Sequence, residues 1–174
     1  MNKIIQIIII LILCIEVKAQ HYIGKNGTIT FFSKTPLENI NASNNKVAAI
    51  YDIDTRKIAF KLNIKDFIFS NSLMQEHFNE NYLESDIFPH STFVGEIVSQ
   101  TKDIAEVEGK LTIHGITNLI NASGKFEVID NVAIINEVKF YIKLRDYGIK
   151  VPKIVMYNIA EEIEVKVNIK MSQE

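Results

Sequence analysis

The stretch LMQEHFNENYLESDIFPHSTFVG, from Leu73 to Gly95, decides which fold this chain is expected to adopt. Met74, Phe78 and Tyr82 recur at every fourth position, the spacing that gives a helix one apolar face. Pro89 then prevents the helix from continuing, because proline lacks the backbone N–H that a helix interior requires. The stretch therefore predicts one short amphipathic helix, which returns to a β-strand after the proline.

The sequence also indicates where this helix begins and how it is charged. Ser72 and Gln75 match a capping box, in which side chains satisfy the first free backbone N–H groups of a helix. We therefore expect the helix over residues 73–84. Three glutamates at every fourth position give it a second, acidic face: Glu76, Glu80 and Glu84.

On both sides of the helix, apolar and polar residues alternate with a period of two. In residues 57–65, for example, the apolar side consists of Ile58, Phe60, Leu62 and Ile64. This alternation is typical of antiparallel strands with one dry and one wet face, whereas a parallel sheet would need a crossover helix after each strand. We predict eight strands, over residues 28–33, 46–52, 57–65, 91–99, 104–113, 116–129, 132–144 and 160–171.

The connections between these strands contain residues that suit turns and bends. His114 and Gly115 can form a two-residue hairpin turn, since both residue types tolerate a positive φ. Gly124 lies inside a long strand and predicts a bulge. A second bulge is expected at Lys65 and Asp66, because the apolar residues change face there. We expect Gly115 and the proline corner to be structural rather than functional.

Eight antiparallel strands in one domain are enough to close a barrel, and closure removes the exposed edges of an open sheet. The interior of such a barrel is either filled by side chains or holds one small ligand, and the pattern leaves both alternatives open. A hollow interior would be lined by apolar residues, which predicts an apolar, elongated ligand. The expected lining residues are Phe31, Phe60, Leu62, Met74, Phe78, Phe93, Phe126 and Phe140. We expect Phe78 to lie at a partly exposed mouth.

The N-terminus has the layout of a secretory signal. Lys3 precedes the apolar run Ile4–Ile15, and Val17-Lys18-Ala19 provides a cleavage site with small residues. The apolar run is shorter than the ~20 residues that span a membrane, so we expect no stable membrane span. Cleavage after Ala19 would leave a single domain over residues 20–174, either periplasmic or secreted.

A lipoprotein signal is the alternative, with Cys14 as the lipidated residue. Leu13 precedes it, where a small residue is expected, and this argues against lipidation. Cys14 is the only cysteine of the chain, so the mature domain would have to be stabilised by its core without a disulfide.

The composition argues against a nucleic-acid partner. Cleavage would remove Lys3, Lys18 and Glu16, so that 19 basic and 21 acidic residues become 17 and 20, a net charge of −3. Phosphate binding needs clustered positive charge, and the sequence has no run of lysine or arginine.

Candidate catalytic residues are few. His77 and Glu80 lie three positions apart on the predicted helix, with Glu76 beside them, but the spacing of a zinc motif such as HExxH is absent. No GxSxG sequence indicates a nucleophilic serine. We therefore expect no enzyme activity, no cofactor and no metal. A metal protein or enzyme that uses His77 and Glu80 stays open as a third interpretation.

Four segments resemble the YceI-like family of exported polyisoprenoid-binding proteins: IAFKLNIKDFIFSNSLMQEHFNENYLES, IFPHSTFVGEI, EGKLTIHGITNLI and FYIKLRDYGIKVPKIV. The resemblance implies a lipocalin-like antiparallel barrel, without an established catalytic centre, whose interior tunnel holds a long isoprenoid or a similar amphipathic lipid. The acidic helix differs from the basic residues that many members have near the tunnel mouth. A negative mouth should disfavour a pyrophosphate headgroup.

Two functions from different classes follow. The first is an exported carrier of an apolar lipid such as a polyisoprenoid. The alternative is a barrel with a solid core, which acts as a ligand-free interaction or stress-response module. The volume of the interior distinguishes the two, and a homodimer is compatible with both.

Overall fold

The computed structural model describes residues 20–34, 39–150 and 159–174. In this part of the chain the strands are His21–Ser33 (β1), Ile40–Asp52 (β2), Lys57–Asn63 (β3), Ile68–Phe69 (β4), His90–Thr101 (β5), Ile104–Ile113 (β6), Ile116–Ile129 (β7), Val132–Lys143 (β8) and Glu162–Gln173 (β9). One α-helix, Ser72–His77 (α1), lies between β4 and β5.

The eight long strands close into a barrel. Strand β1 pairs with β9, and the order continues through β8, β7, β6, β5, β3 and β2 until β2 pairs again with β1. All these pairings are antiparallel. The predicted fold, an all-β eight-stranded antiparallel barrel with one short inserted helix, is confirmed.

The two-residue strand β4 continues the line of β3 along β2. Between β3 and β4, Ile64–Asp66 form one turn of 3₁₀ helix, and the N–H of Ile64 donates to the carbonyl of Pro89 at 2.9 Å. The bulge expected at this point is therefore a 3₁₀ turn. As predicted, the apolar residues change face at this point, and Phe67 and Phe69 after the turn are both buried.

The hairpin that joins β6 to β7 has the predicted turn. His114 has a φ of 50° and Gly115 a φ of 73°, the positive values that a two-residue turn requires to match the twist of its strands. The hairpin between β7 and β8 turns in the same way at Asp130 and Asn131, with φ values of 48° and 62°.

Gly124 marks a bulge in β7, as predicted. The pairing of β7 with β8 shifts register between Ser123 and Lys125. A Cβ atom at Gly124 would lie 2.5 Å from the Cα of Val138, so only glycine lets the two backbones come this close.

The helix is shorter than predicted. Helix α1 ends at His77, and Phe78–Tyr82 continue as one π-helical turn in which the N–H of Leu83 donates to the carbonyl of Phe78 at 2.9 Å. The apolar residues at every fourth position extend over both parts, so the sequence pattern could not show where the hydrogen bonding changes. The prediction of one helix to residue 84 was wrong in this respect.

The predicted capping box is also wrong. Asn71 is the N-cap, and its side-chain oxygen accepts from the N–H of Met74 at 3.1 Å. The side-chain oxygen of Gln75 instead accepts from the N–H of Phe69 at 3.3 Å and ties the helix to β4. Asparagine is as good an N-cap as serine, and the helix begins one residue earlier than the pattern suggested.

Strands β1 and β2 begin earlier than predicted, and in each strand one feature hid the first residues from pattern analysis. In β1, register shifts at Gly24 and Gly27 interrupt the period of two. In β2, Asn44 is fully buried at an inward position, and its amide donates to the carbonyl of Asn63 at 2.9 Å. A buried polar residue and an interrupted period both hide a strand from pattern analysis.

The two ends of the barrel differ. We call the end that α1 covers the upper end. At the opposite, lower end, Tyr22, Tyr51 and Met171 fill the interior, with exposed fractions of 3%, 4% and 0%. The rings of Tyr51 and Phe126 meet edge to face, with centroids 4.9 Å apart.

The signal segment predicted over residues 1–19 lies outside the described residues. Among the residues that are described, no helix is both long and apolar enough to cross a membrane.

Candidate functional site: two apolar cavities inside the barrel

The interior of the barrel contains two adjoining cavities. The upper cavity has a volume of about 140 Å³ and lies between the strands, α1 and the π-helical turn after it. The lower cavity has a volume of about 90 Å³ and is bounded by strands. Neither reaches the ~300 Å³ at which typical small-molecule pockets begin.

All eight residues that the sequence predicted as lining residues lie on a cavity wall. The upper cavity is lined by Phe31, Leu62, Met74, Phe78 and Phe140. The lower cavity is lined by Phe60, Leu62, Phe93, Phe126 and Phe140. The structure brings these residues together as expected, and that they bind a ligand stays a prediction.

Five residues border both cavities. These residues, which we call the girdle, are Ile29, Leu62, Ser91, Leu111 and Phe140. They come from five different strands, β1, β3, β5, β6 and β8, and together they mark the boundary between the two cavities.

Four aromatic rings pack under the helix in the wall of the upper cavity. The ring of Phe78 stacks on that of Phe31 at a centroid distance of 5.6 Å and lies 4.9 Å from that of Phe69. Phe67 completes the cluster, 5.4 Å from Phe31. Phe78 is only 8% exposed, so the expectation that it lies at a partly exposed mouth was wrong.

Sequence reasoning did not include Phe67 and Phe69 among the lining residues, although both line the upper cavity. The change of face after residue 64 was the signal that could have found them, since it turned both side chains inward. Their place beside the helix depends on the 3₁₀ turn, which the pattern showed only as an irregularity.

The wall of the lower cavity depends on a pair of glycines. Gly95 of β5 is paired with Gly109 of β6, and a Cβ atom at either would lie within 2.7 Å of the Phe93 ring. The far edge of the ring, at Cζ and Cε2, therefore lies against the two glycines, where a larger residue would not fit. Its other neighbour is Phe60, whose ring centroid is 6.2 Å away.

The hydroxyl groups of two serines in the cavity walls already have partners. The hydroxyl of Ser91 donates to the carbonyl of Thr112 at 2.9 Å, and Ser33 accepts from the N–H of Ala160 at 2.8 Å. The Tyr82 phenol is uncharged at neutral pH, and burial raises its pKa further above the ordinary value of 10.0. An interior of this kind favours an apolar occupant over a charged one.

A hydrogen-bonded contact holds the segment after the helix against the upper end. His114 lies with Nε2 2.7 Å from a carboxylate oxygen of Glu84 and with Nδ1 3.2 Å from the carbonyl of Tyr147. The ring of Phe88 packs edge-on against the imidazole at 4.5 Å. Three segments distant in sequence are therefore joined beside the upper cavity.

The candidate metal ligands do not converge. His77 donates to the side-chain oxygen of Asn81 at 2.9 Å, and Glu80 is exposed on the π-helical turn. In residues 20–34, 39–150 and 159–174, no three His, Cys, Asp or Glu side chains come close enough together to hold a metal ion.

A closed antiparallel barrel with an apolar interior and an inserted helix is the class of protein that these observations define. The family model of the YceI-like domain matches residues 19–171, so this chain belongs to the YceI-like family. The resemblance seen in the sequence is thereby confirmed. A comparison with curated proteins gives no significant match.

Solved structures of the same fold include BcnA from Burkholderia cenocepacia, which is 15% identical with a TM-score of 0.73 over 83% of this chain and 95% of that one. A polyisoprenoid-binding domain from Saccharophagus degradans, implicated in plant cell wall breakdown, is 10% identical with a TM-score of 0.73 over 90% and 100% of the two chains. The YceI protein of Campylobacter jejuni is 15% identical with a TM-score of 0.66 over 81% and 88%.

Proposed function

We propose that this protein is an exported, non-catalytic carrier that holds an apolar, isoprenoid-like chain inside its barrel. The observation that carries the proposal is the pair of adjoining cavities with walls of aliphatic and aromatic side chains. Membership of the YceI-like family and the polyisoprenoid-binding domain from Saccharophagus degradans support the same ligand class. Export to the periplasm or the medium is supported by the signal-like sequence of residues 1–19.

The carboxylates of the helix segment over the upper cavity favour a neutral headgroup on that side. Glu76 and Glu80 are exposed on α1 and the turn after it, next to Met74 and Phe78 in the cavity wall. A diphosphate at this end would be repelled by the carboxylates, whereas a hydroxyl group would not. The proposed ligand is therefore an isoprenoid alcohol or a similarly uncharged lipid.

The volumes of the cavities favour a second candidate. Because each cavity lies below the usual size of a ligand pocket, an isoprenoid enters only if side chains of the wall move. A barrel whose side chains do not move would be the ligand-free interaction module. Direct binding measurements separate the two functions.

The experiment is a titration of the purified domain, residues 20–174, with a fluorescent farnesol analogue. Met74→Asp places a carboxylate in the wall of the upper cavity, and an unpaired charge next to an apolar chain costs several kcal/mol, so affinity should fall at least ~10-fold. Met74 is half-buried, which lets its replacement reach water and keeps the fold intact.

Leu73→Asp is the matched control. Leu73 is the neighbouring helix residue, but its side chain is 58% exposed and lies outside both cavity walls, so affinity should stay unchanged. Circular dichroism verifies the fold of each variant. If folded wild type binds neither the farnesol analogue nor longer isoprenoid alcohols, the carrier proposal is wrong and the ligand-free module takes its place. Equal binding of farnesol and farnesyl diphosphate would contradict the neutral headgroup.

A further inference from the structure

The boundary between the two cavities suggests a limit on the ligand itself. We propose that the girdle divides the interior into two compartments and that Phe140 sets the length of apolar chain at which binding stops improving steeply. This inference rests on the proposed function, since it concerns the same interior, but it can fail while that function holds.

Most of the girdle is fixed in place. Leu62 and Leu111 are each 7% exposed, and Leu62 is paired across the sheet with Ser91. The hydroxyl of Ser91 is held by the carbonyl of Thr112 at 2.9 Å. Side chains packed to this degree stay in their rotamers, and moving them disturbs their neighbours.

Phe140 differs from these residues. It is half-buried, and its side chain borders empty space in both the upper and the lower cavity. A ring with free volume on both sides can change rotamer without displacing its neighbours. The free-energy cost is then only that of the less favoured rotamer of Phe140 itself. Ile29 is half-buried as well, but its β-branched side chain is restricted at χ1, so Phe140 is the girdle residue that can open a passage between the compartments.

The size of the upper cavity determines where the limit lies. An apolar cavity of about 150 Å³ holds a molecule the size of benzene, and the upper cavity has about 140 Å³. A chain of about six carbons fills that space. Any longer chain has to pass Phe140 into the lower cavity or leave its remaining carbons in water.

The affinity should reveal this geometry. Each methylene group that moves from water into an apolar site strengthens binding about fourfold, the fold-change that corresponds to about 0.8 kcal/mol. We expect this fourfold increase per methylene group up to the chain length that fills the upper cavity. For each further carbon the increase in affinity should be clearly smaller, because displacing the Phe140 ring offsets part of it.

The test measures the affinity of the domain, residues 20–174, for the straight-chain primary alcohols from butanol to hexadecanol, by isothermal titration calorimetry or by displacement of the fluorescent farnesol analogue. Wild type should show a break in the plot of log affinity against carbon number. Phe140→Leu removes the ring and should move the break to longer chains, with affinity for dodecanol raised at least ~10-fold.

Two further variants complete the design. Tyr141→Leu is the matched control, since Tyr141 is the next residue of β8 but is 54% exposed on the outer face, and it should leave the break where it is. Leu111→Phe narrows the girdle and should weaken only the longer alcohols. It keeps the test decisive if Phe140→Leu does not fold.

The outcomes separate this inference from the proposed function. A domain that binds no alcohol and no isoprenoid would end the carrier proposal itself. A domain that binds them with an increment constant up to hexadecanol, or with a break that Phe140→Leu and Leu111→Phe both leave unmoved, would overturn the girdle while the carrier function stands.

Discussion

At the lower end of the barrel, Tyr22, Tyr51 and Met171 fill the interior almost completely, whereas at the upper end α1 lies over a cavity that its side chains leave open. The lower end is built from strands and hairpins. The upper end has the hairpin at His114 and Gly115 and, in addition, inserted parts: the helix, the π-helical turn and the 3₁₀ turns at Ile64–Asp66 and Leu144–Tyr147.

This difference shows how one barrel can combine a stable core with an adaptable site. Strand side chains are positioned by the pleat, and at the lower end large ones fill the space between them, although nearer the middle the same strands bound the lower cavity. The larger cavity lies where the helix and the turns meet the strands, and it leaves space that a ligand can use. Local openings are expected where packing is sparse.

The largest expected effect tests the difference in packing directly. Phe126 is 5% exposed and packs on Tyr51, so Phe126→Ala should cost ~3–5 kcal/mol of unfolding free energy. Met74→Ala at the upper end should cost less than ~2 kcal/mol, because Met74 is only half-buried whereas Phe126 is buried. Urea unfolding of both variants measures the two losses, and equal losses would mean that the upper end is as tightly packed as the lower one.

Gly115→Val tests the junction that fixes the helix segment to the upper end. The φ of 73° is costly for a β-branched residue, and a Cβ atom here would lie 2.7 Å from the Phe88 ring. We expect a loss of about 3 kcal/mol and a melting temperature lower by roughly 6–12 °C.

Gly115→Asn separates the two causes, since asparagine tolerates positive φ but has a Cβ atom. A melting temperature close to wild type for the valine variant would show that the hairpin is not a fixed support. Equal losses for valine and asparagine would assign the effect to Phe88 rather than to φ.

Asn71→Ala tests how the helix itself is anchored. Removal of the N-cap oxygen that accepts from Met74 should cost ~1 kcal/mol, measured by thermal unfolding. Ser72→Ala should cost less than ~0.5 kcal/mol, because Ser72 lies in the helix and does not cap it. The reverse order would restore the capping box that the sequence suggested.

The smallest expected effect concerns the outer wall rather than the interior. Hydrogen bonds from Lys166, Tyr141 and Lys139 lower the pKa of Glu164 to about 2, from an ordinary value of 4.5. A carboxyl group whose pKa is lower in the folded state stabilises the fold above pH 4.5, and this contribution is lost as the pH falls toward 2.

Glu164→Gln should therefore lose less of its melting temperature than wild type between pH 4.5 and pH 2. The pH dependence should be reduced rather than removed, because Asp52, Asp66 and Glu137 also have lowered pKa values. Parallel pH profiles for variant and wild type would mean that Glu164 is not held in its ionised form by these partners.

Much of the site could be predicted because strand alternation alone places a side chain on the inner face. Phe60, Phe93, Phe126 and Phe140 were found in this way. Phe69 was missed although the apolar residues change face after residue 64, because its place beside the helix depends on a turn whose geometry the pattern does not encode. The buried position of Phe78 could not be predicted either, since it depends on Phe31, which is 47 positions away in the sequence, stacking against its ring.

The sequence by itself determined the closed barrel, its inserted helix and the apolar character of its interior, because these follow from residue periodicity and from turn residues that act locally. Only the tertiary structure decided that the interior is divided into two cavities and that the girdle separates them. The reason is physical: an empty volume is the space that remains after side chains distant in sequence have packed, and no local sequence pattern specifies that space.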